Sequence, residues 1–295
     1  MLTFITNTIA GHGKALRVAE RVELELQKRG IPYHMEYTAC AGHATALAQR
    51  YAEAGLDRIY CIGGDGTAFE VANGLVGTPT ALGILPGGTG NDFSRSLGLP
   101  RDPIAALDAL MNAVPRNVNI CHINDRIFLN VCGVGFDVDV VIACDRAKRF
   151  ARGMLPFLYG VLHTLLTFTP KTLRIELDGE VREQSVLMMV AANGQYFGGG
   201  MHVAPMAKLD DDLLDVVIVK PVPRWRIPLL MPRFINGTFY NLKDLVEHHL
   251  CRTVRVSAPG MRMEMDGEVT FIEDAQITIE GPKLQLLLPS EPASA

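Results

Sequence analysis

The sequence lacks clustered cysteines. Six of its 295 residues are cysteines, and they are scattered singly, without the paired spacing of a zinc site or the density of a disulfide-built domain. This distribution excludes a small disulfide scaffold and fits a reducing compartment. We therefore expect a cytoplasmic protein.

Excess positive charge and long apolar runs are also missing. The formal net charge is −4, so the chain lacks the basic excess that nucleic-acid binding requires, and we expect no nucleic-acid partner. The N-terminus has no basic leader and predicts a first strand rather than a signal peptide. The most apolar stretch, residues 154–168, is shorter than the roughly 20 residues that span a bilayer. The sequence thus predicts no transmembrane helix.

The first third of the chain alternates between strand and helix patterns. An amphipathic helix is predicted over residues 15–29 and another over 44–54, with short apolar strands between them at 2–6, 31–38, 58–62 and 81–85. Such alternation is typical of a doubly wound parallel sheet. We therefore predict a first α/β domain over residues 1–117.

After residue 117 the pattern changes to hairpins. Asn124-Asp125, Asp178-Gly179 and Asp266-Gly267 each separate two runs that favour strands. These turns predict a second, β-rich domain over 118–288, interrupted by helices at 138–168 and 224–249, with a disordered tail at 289–295. An alternative is that the last strand returns to the first domain.

A glycine-rich turn follows the predicted strand 58–62. Its sequence is Gly63-Gly64-Asp65-Gly66-Thr67, and Thr67 and Glu70 have the spacing of a capping box at a helix N-terminus. Glycines let the backbone approach a ligand, and the free N–H groups of a helix N-terminus favour phosphate. Asp65 could orient a hydroxyl or a metal-bound water. The alternative is an ordinary strand-to-helix turn.

A second turn of the same kind follows the strand 81–85. It runs from Pro86 through Gly87, Gly88 and Thr89 to Asp92, and Thr89 is placed to cap a helix that ends at residue 98. Loops at the carboxyl ends of neighbouring parallel strands line one crevice. The two turns together predict a site that holds one polyphosphate from two sides.

Five segments, in this order, resemble the diacylglycerol kinase catalytic family, especially its bacterial soluble members, which are similar to diacylglycerol and sphingosine kinases. They are residues 63–67, 85–93, 130–137, 198–215 and 266–268. The resemblance implies a nucleotide-binding α/β domain, a β-sandwich-like second domain and an active site in the interdomain cleft. It also implies ATP, Mg²⁺ and a lipid hydroxyl as acceptor.

The resemblance further implies which residues contact ATP. These are Asn7, Thr38, Gly63, Gly64, Asp65, Gly66, Thr67, Ala68, Phe69, Gly88 and Thr89, with Lys14 as a further phosphate contact. The turn at Asn7 departs from the family pattern, because relatives usually have proline where this chain has Thr8.

The acidic segment 208–215 predicts a metal site, since Mg²⁺ prefers hard oxygen ligands. By resemblance, the ligands are the Asp211 carboxylate and the carbonyls of Lys208 and Leu213. A solvated acidic turn is the alternative. Two residues depart from the family: Asp212 replaces a glycine, and Asn119 replaces an aspartate of the metal network.

Phosphoryl transfer needs a group that orients or deprotonates the attacking hydroxyl. The resemblance implies that Glu268, beside the Asp266-Gly267 turn, is this general base, whereas a purely structural hairpin is the alternative. Asp65, Asp92 and Asp137 are supporting candidates, because each lies in or beside a glycine turn.

Two kinds of partner are predicted. Arg146, Lys148, Arg149 and Arg152 precede the apolar segment 154–168, which predicts peripheral contact with an anionic membrane, unless that segment is a buried helix. The second is another copy of the chain, because an exposed β-rich domain can pair through a sheet edge to form a homodimer.

The predicted function is ATP- and Mg²⁺-dependent phosphorylation of a lipid hydroxyl, with diacylglycerol as acceptor and phosphatidic acid as product. The alternatives are a kinase of a soluble acceptor, similar to NAD kinases, and a non-catalytic protein that binds nucleotide or lipid.

Overall fold

A computed structural model describes residues 1–147, 149–150 and 155–289, which form two compact units. The first unit contains Met1–Ile120 and returns at Gly281, and the second is Cys121–Glu280. The second unit thus ends at Glu280 and not at 288, because the last strand is hydrogen-bonded into the sheet of the first unit. That arrangement is the alternative considered above. Most of the predicted tail lies outside the described residues.

The first unit is built around a six-stranded sheet in the order β2-β1-β3-β4-β20-β5. Its strands are β1 (Leu2–Thr6), β2 (Tyr33–Tyr37), β3 (Arg58–Gly63), β4 (Ala81–Pro86), β5 (Val114–Val118) and the final strand β20 (Leu284–Leu288). All neighbouring pairs are parallel except β20 and β5. β3 and β4 are buried along nearly their whole length, as expected of parallel strands covered on both faces.

Five helices cover this sheet, namely α1 (Ala10–Lys28), α2 (His43–Glu53), α3 (Asp65–Leu75), α4 (Asp92–Ser96) and α5 (Pro103–Met111). α1 and α5 pack on one face, in a core with Phe4 and Tyr60, and α2 and α3 pack on the other. α2 and α3 touch at Gly74, where an added Cβ would lie 2.6 Å from the Thr45 carbonyl oxygen. The predicted doubly wound α/β domain is confirmed.

The second unit contains two six-stranded antiparallel sheets. One has the order β10-β9-β16-β19-β6-β7 and the other the order β15-β14-β11-β8-β17-β18, and a core of side chains from both fills the space between them. The strands are β6 (Cys121–Ile123), β7 (Arg126–Phe128), β8 (Val131–Gly135), β9 (Lys171–Leu177), β10 (Glu180–Val186), β11 (Met188–Ala192), β12 (Tyr196–Phe197), β13 (Met201–His202), β14 (Leu214–Val219), β15 (Val246–Cys251), β16 (Thr253–Ser257), β17 (Arg262–Met265), β18 (Glu268–Phe271) and β19 (Asp274–Thr278). The predicted sandwich-like domain is confirmed, and β12 and β13 form a separate small hairpin.

Helices cover the outer face of the second sheet in this unit. They are α6 (Phe136–Ala147), α7 (Leu155–Thr167) and α8 (Ile227–Ile235), and their apolar side chains share one core with β11 and β14. Two 3₁₀ turns, Arg224–Arg226 and Thr238–Asn241, lie before and after α8. The predicted helical segment 224–249 is wrong in its last part. Val246–Cys251 is strand β15, because its backbone pairs with the distant β14. Within the described ranges, no helix is long and apolar enough to cross a membrane.

Candidate active site

The glycine turns of the first unit emerge at one edge of its sheet. Thr6 at the end of β1 lies opposite Ile62, and Gly63 at the end of β3 lies opposite Pro86 at the end of β4. Two backbone hydrogen bonds then join the loops, since the Gly87 amide donates to the Gly63 carbonyl (2.7 Å) and the Asn7 amide donates to the Ile62 carbonyl (3.1 Å). The structure therefore brings the predicted turns together.

These turns pack backbone against backbone, which only glycine permits. A Cβ added at Gly88 would lie 2.4 Å from the Cα of Gly64, and one added at Gly11 would lie 2.5 Å from the carbonyl oxygen of Gly87. Real Cβ contacts are never this short. Gly11 also has a positive φ of 58° and begins the irregular first turn of α1. Three loops thus pack backbone against backbone at this edge, and Gly66 in the first turn of α3 remains exposed.

The N-terminus of α3 has no side-chain cap. Gly64 is the N-cap residue and its backbone is extended. The predicted capping box is wrong because α3 already begins at Asp65, which places Thr67 inside the first turn. The Thr67 hydroxyl instead accepts a hydrogen bond from Asn7 Nδ2 (3.1 Å). The first-turn N–H groups, which have no partner within a helix, remain for an anion.

The second turn is closed by Asn91 and not by Thr89. Asn91 Oδ1 accepts from the Gly88 amide (2.8 Å), and Asn91 Nδ2 donates to the Gly88 carbonyl (3.0 Å). Asn91 has a positive φ of 53°, and α4 begins directly after it at Asp92. The predicted Thr89 cap is therefore wrong, because Thr89 lies three residues before the helix and is exposed.

Two carboxylates flank Gly90 in the second turn. Asp65 Oδ2 lies 3.1 Å and Asp92 Oδ2 lies 3.4 Å from the position that a Cβ on Gly90 would take. Asp65 Oδ1 also accepts a hydrogen bond from the Phe93 amide (3.0 Å), which fixes its direction. Asp92 is buried and pairs with Arg95 at 3.5 Å. The carboxylates of Asp65 and Asp92 can hold a cation or orient water next to the glycine turns.

The other predicted ATP contacts lie around this edge. Lys14 Nζ donates to the Gly88 carbonyl (3.4 Å), and the Thr38 amide continues the ladder beyond β2 by donating to the Thr6 carbonyl (2.9 Å). Ala68 is buried and its amide donates to the Gly64 carbonyl, so this amide is used within α3, whereas Phe69 is half-buried. Asn119, which replaces the family aspartate, is buried just after β5.

In the second unit, the acidic segment forms a tight turn before β14. Asp211 Oδ1 accepts from the Leu213 amide (3.1 Å), and Asp212 has a left-handed backbone with a φ of 60°. Burial raises the pKa of Asp211, and the charge of Asp215 raises it further. Asp215 is buried, and its Oδ1 lies 2.6 Å from His248 Nε2.

This turn suits a bound cation because a positive ion would offset the repulsion between the negative charges of Asp211 and Asp215. Among the residues that the structure describes, no group of three or more His, Cys, Asp or Glu side chains could hold a metal. The ligand set implied by resemblance differs from such a group, since it needs only Asp211 and the carbonyls of Lys208 and Leu213, and Mg²⁺ accepts such oxygens.

The hairpin that carries Glu268 is fixed from two sides. The Asp266 carboxylate accepts hydrogen bonds from the amides of Leu129, Asn130 and Val131, at 2.7, 3.0 and 3.1 Å. Glu264 is buried, and its Oε1 accepts from the Gly267 amide (2.7 Å). Glu268 is the first residue of β18 and is exposed. A rigid turn therefore presents an accessible carboxylate.

Sequence reasoning missed the role of Glu264. Its signal was a charged residue between two methionines, Met263 and Met265, in the buried part of a strand. Asp137 lies close to it, because a Cβ on Gly133 would be 1.9 Å from Asp137 Oδ2 and 3.5 Å from Glu264 Oε2. Burial raises the pKa of Asp137 to about 7, against a weaker opposing effect of the Val138 amide.

Comparison with known protein domains gives the class of this protein. Residues 1–123 match the diacylglycerol kinase catalytic domain, and residues 130–288 match the YegS C-terminal NAD kinase beta sandwich-like domain. Both matches agree with the boundaries of the two units to within ten residues. The chain thus has the two domains of a kinase.

Individual relatives extend over nearly the whole chain. A diacylglycerol kinase of Mycobacterium tuberculosis is 31% identical, over 98% of this chain and 95% of its own. The "Probable lipid kinase YegS-like" of Chromohalobacter salexigens is also 31% identical, over 94% and 91%. A solved structure of a candidate diacylglycerol kinase from Bacillus anthracis str. Sterne superimposes with a TM-score of 0.78 at 25% identity, covering 98% of this chain and 97% of that one. The chain belongs to the diacylglycerol kinase and YegS-like lipid kinase family.

Proposed function

We propose that this protein transfers the γ-phosphoryl group of ATP to a lipid hydroxyl, with diacylglycerol as acceptor and phosphatidic acid as product. The observation that carries the proposal is the convergence of three glycine turns on the uncapped N-terminus of α3. The first-turn N–H groups of α3, which lie among these turns, suit a polyphosphate. The names of the relatives from Mycobacterium tuberculosis and Bacillus subtilis support the choice of diacylglycerol.

In the proposed reaction, the lipid hydroxyl oxygen attacks the γ-phosphorus while the bond between this phosphorus and the β–γ bridging oxygen breaks. ADP leaves, and the hydroxyl proton passes to the Glu268 carboxylate. Asp65 and Asp92 would hold Mg²⁺ beside the phosphates, where the ion would offset negative charge on the transferring group. A second Mg²⁺ held by Asp211 and the carbonyls of Lys208 and Leu213 would order the turn before β14.

Glu268 has a matched control within the chain. Asp178-Gly179-Glu180 repeats the sequence Asp266-Gly267-Glu268, and both glutamates are the exposed first residue of a strand. Asp178 also accepts hydrogen bonds from backbone amides, those of Arg252 and Thr253. The two hairpins therefore have the same local construction, whereas the reaction assigns a chemical role to Glu268 alone.

The test measures transfer of labelled γ-phosphate to micellar diacylglycerol, other lipid alcohols and soluble acceptors. We expect label in diacylglycerol, a loss of about 10²- to 10⁴-fold in Glu268→Gln, and wild-type activity in Glu180→Gln. Full turnover in folded Glu268→Gln would remove the proposed base. Label in soluble acceptors alone would reject a lipid acceptor and favour a kinase of a soluble acceptor. ATP binding without label in any acceptor would favour a non-catalytic protein that binds nucleotide or lipid.

A further inference from the structure

Helix α7 has one buried and one exposed apolar face. Pro156, Gly160 and Thr164 are buried, and Gly160 lies so close to α6 that a Cβ there would be 2.5 Å from Cys144 Sγ. The opposite face is apolar and exposed to solvent along its whole length. Its residues are Leu155, Leu158, Tyr159, Leu162 and Leu166, spaced as on one side of a helix. We call this face the α7 stripe.

The turn before α8 extends this exposed surface. Arg224 donates through Nη1 to the Leu166 carbonyl and through Nη2 to the Phe168 carbonyl, both at 2.8 Å, and so joins the turn to the end of α7. The next residue, Trp225, is 70% exposed, and Leu229 is 66% exposed. The α7 stripe, Trp225 and Leu229 together form what we call the apolar ridge. Monomeric soluble proteins rarely leave this many large apolar side chains exposed on neighbouring segments.

Most of the charges near the apolar ridge are positive. Residues 221–242 contain three arginines and no aspartate or glutamate, and α7 contains no charged side chain other than a titratable histidine. Arg226 and Arg233 are exposed beside Trp225 and α8. Before α7, Arg146 and Arg149 are exposed as well, together with one acid, Asp145, whereas Lys148 and Arg152 lie outside the described residues.

Apolar side chains bordered by arginines match the chemistry of an anionic bilayer. Leucines enter the acyl region, tryptophan and tyrosine rings favour the headgroup boundary, and arginines pair with anionic lipids. A protein partner of acidic surface would satisfy the arginines but would leave the leucines without apolar contact. We propose that the apolar ridge docks this protein on an anionic membrane, with Trp225 at the headgroup boundary. This inference rests on the proposed function, because the acceptor lipid resides in a membrane.

The chain supplies its own probe, since Trp225 is its single tryptophan. The experiment mixes the wild-type protein, without ATP, with vesicles of phosphatidylglycerol and phosphatidylcholine or of phosphatidylcholine alone. We expect a blue shift of tryptophan emission with the anionic vesicles, quenching by brominated acyl chains, and binding at least about tenfold weaker to phosphatidylcholine. Raising the salt concentration should weaken the binding.

Two leucines provide a matched pair of variants. Leu162 on the α7 stripe is 52% exposed, and Leu24 on α1 is 57% exposed. Leu162→Ser should weaken vesicle binding about tenfold, because a buried leucine side chain is lost from the bilayer, and Leu24→Ser should bind as the wild type does. Emission spectra in buffer identical to that of the wild type show that both variants are folded.

Three results would overturn the docking proposal. The first is that the protein does not bind anionic vesicles. The second is that it binds them without any change in the emission of Trp225. A blue shift that grows with protein concentration in the absence of lipid would instead assign the apolar ridge to a second copy of the chain. Failure of the kinase proposal is distinguishable, since docking is measured without turnover and phosphate transfer is measured in detergent micelles.

Discussion

The replacement of Gly66 by alanine should raise the stability of the protein and weaken its binding of ATP. Gly66 is the second residue of α3, and an added Cβ would meet nothing within 4 Å. Alanine within a helix is more stable than glycine by about 0.5–1 kcal/mol. We therefore expect Gly66→Ala to raise the free energy of unfolding by that amount and the unfolding midpoint by about 3 °C.

The same methyl group should weaken nucleotide binding. In the proposed function, phosphate oxygens occupy the space beside the first-turn amides of α3, where the new Cβ would lie. We expect a loss of at least about tenfold in ATP affinity, equivalent to ~1.4 kcal/mol. The assay is thermal unfolding with and without ATP, in which ATP should raise the midpoint of the wild type far more than that of Gly66→Ala.

Gly74→Ala is the control within the same helix. Its Cβ would collide with the Thr45 carbonyl oxygen and with Ala48 Cβ, at 2.6 and 2.8 Å, so it should lower stability by about 1–3 kcal/mol. The reasoning is refuted if Gly66→Ala is more stable yet responds to ATP as the wild type does. In that case the phosphates do not bind at the N-terminus of α3.

Three further predictions concern the second unit. The raised pKa of Asp137, about 7 against 3.8, means that the folded protein retains a proton that the unfolded chain releases, so this contribution to stability is complete below pH 4 and lost as the pH rises through 7. Asp137→Asn should therefore gain stability relative to the wild type between pH 5 and pH 8, as measured by urea unfolding. Asp266→Ala leaves three backbone amides without their acceptor and should lower the free energy of unfolding by about 2–4 kcal/mol in the same assay. An unchanged midpoint would show that these three hydrogen bonds do not stabilise the hairpin. Asp212→Ala should be less stable than Asp212→Gly by about 1 kcal/mol, because only glycine adopts a φ of 60° without strain; equal midpoints would show that the turn relaxes.

Local pattern was sufficient for the strands of the parallel sheet. β3 and β4 are buried on both faces and read as uninterrupted apolar runs, so their positions follow from sequence. Strand β15 does not follow, since Val246–Cys251 mixes two histidines and a glutamate with apolar residues and is a strand only through its pairing with β14. Long-range pairing leaves no local periodicity.

Local sequence could not single out the proposed base either. Two Asp-Gly-Glu hairpins have the same construction, and only the resemblance to a known family distinguishes Glu268 from Glu180. The predictions of the Thr67 and Thr89 helix caps were wrong for a related reason. The Thr67 hydroxyl binds Asn7, sixty residues away, and Asn91 closes the second turn from a left-handed conformation. Such contacts depend on neighbouring strands, which spacing along one segment does not reveal.

The position of β20 constrains the order in which the newly made chain can fold. β20 lies between β4 and β5, yet it is synthesised after the whole second unit, residues 121–280. At usual rates of translation, the ribosome needs roughly 8 to 30 s to make that unit. During this time β5 has no partner, and the adjoining edge of β4 is open to pairing with other chains. Of the two units, the first therefore begins to fold earlier and is completed later.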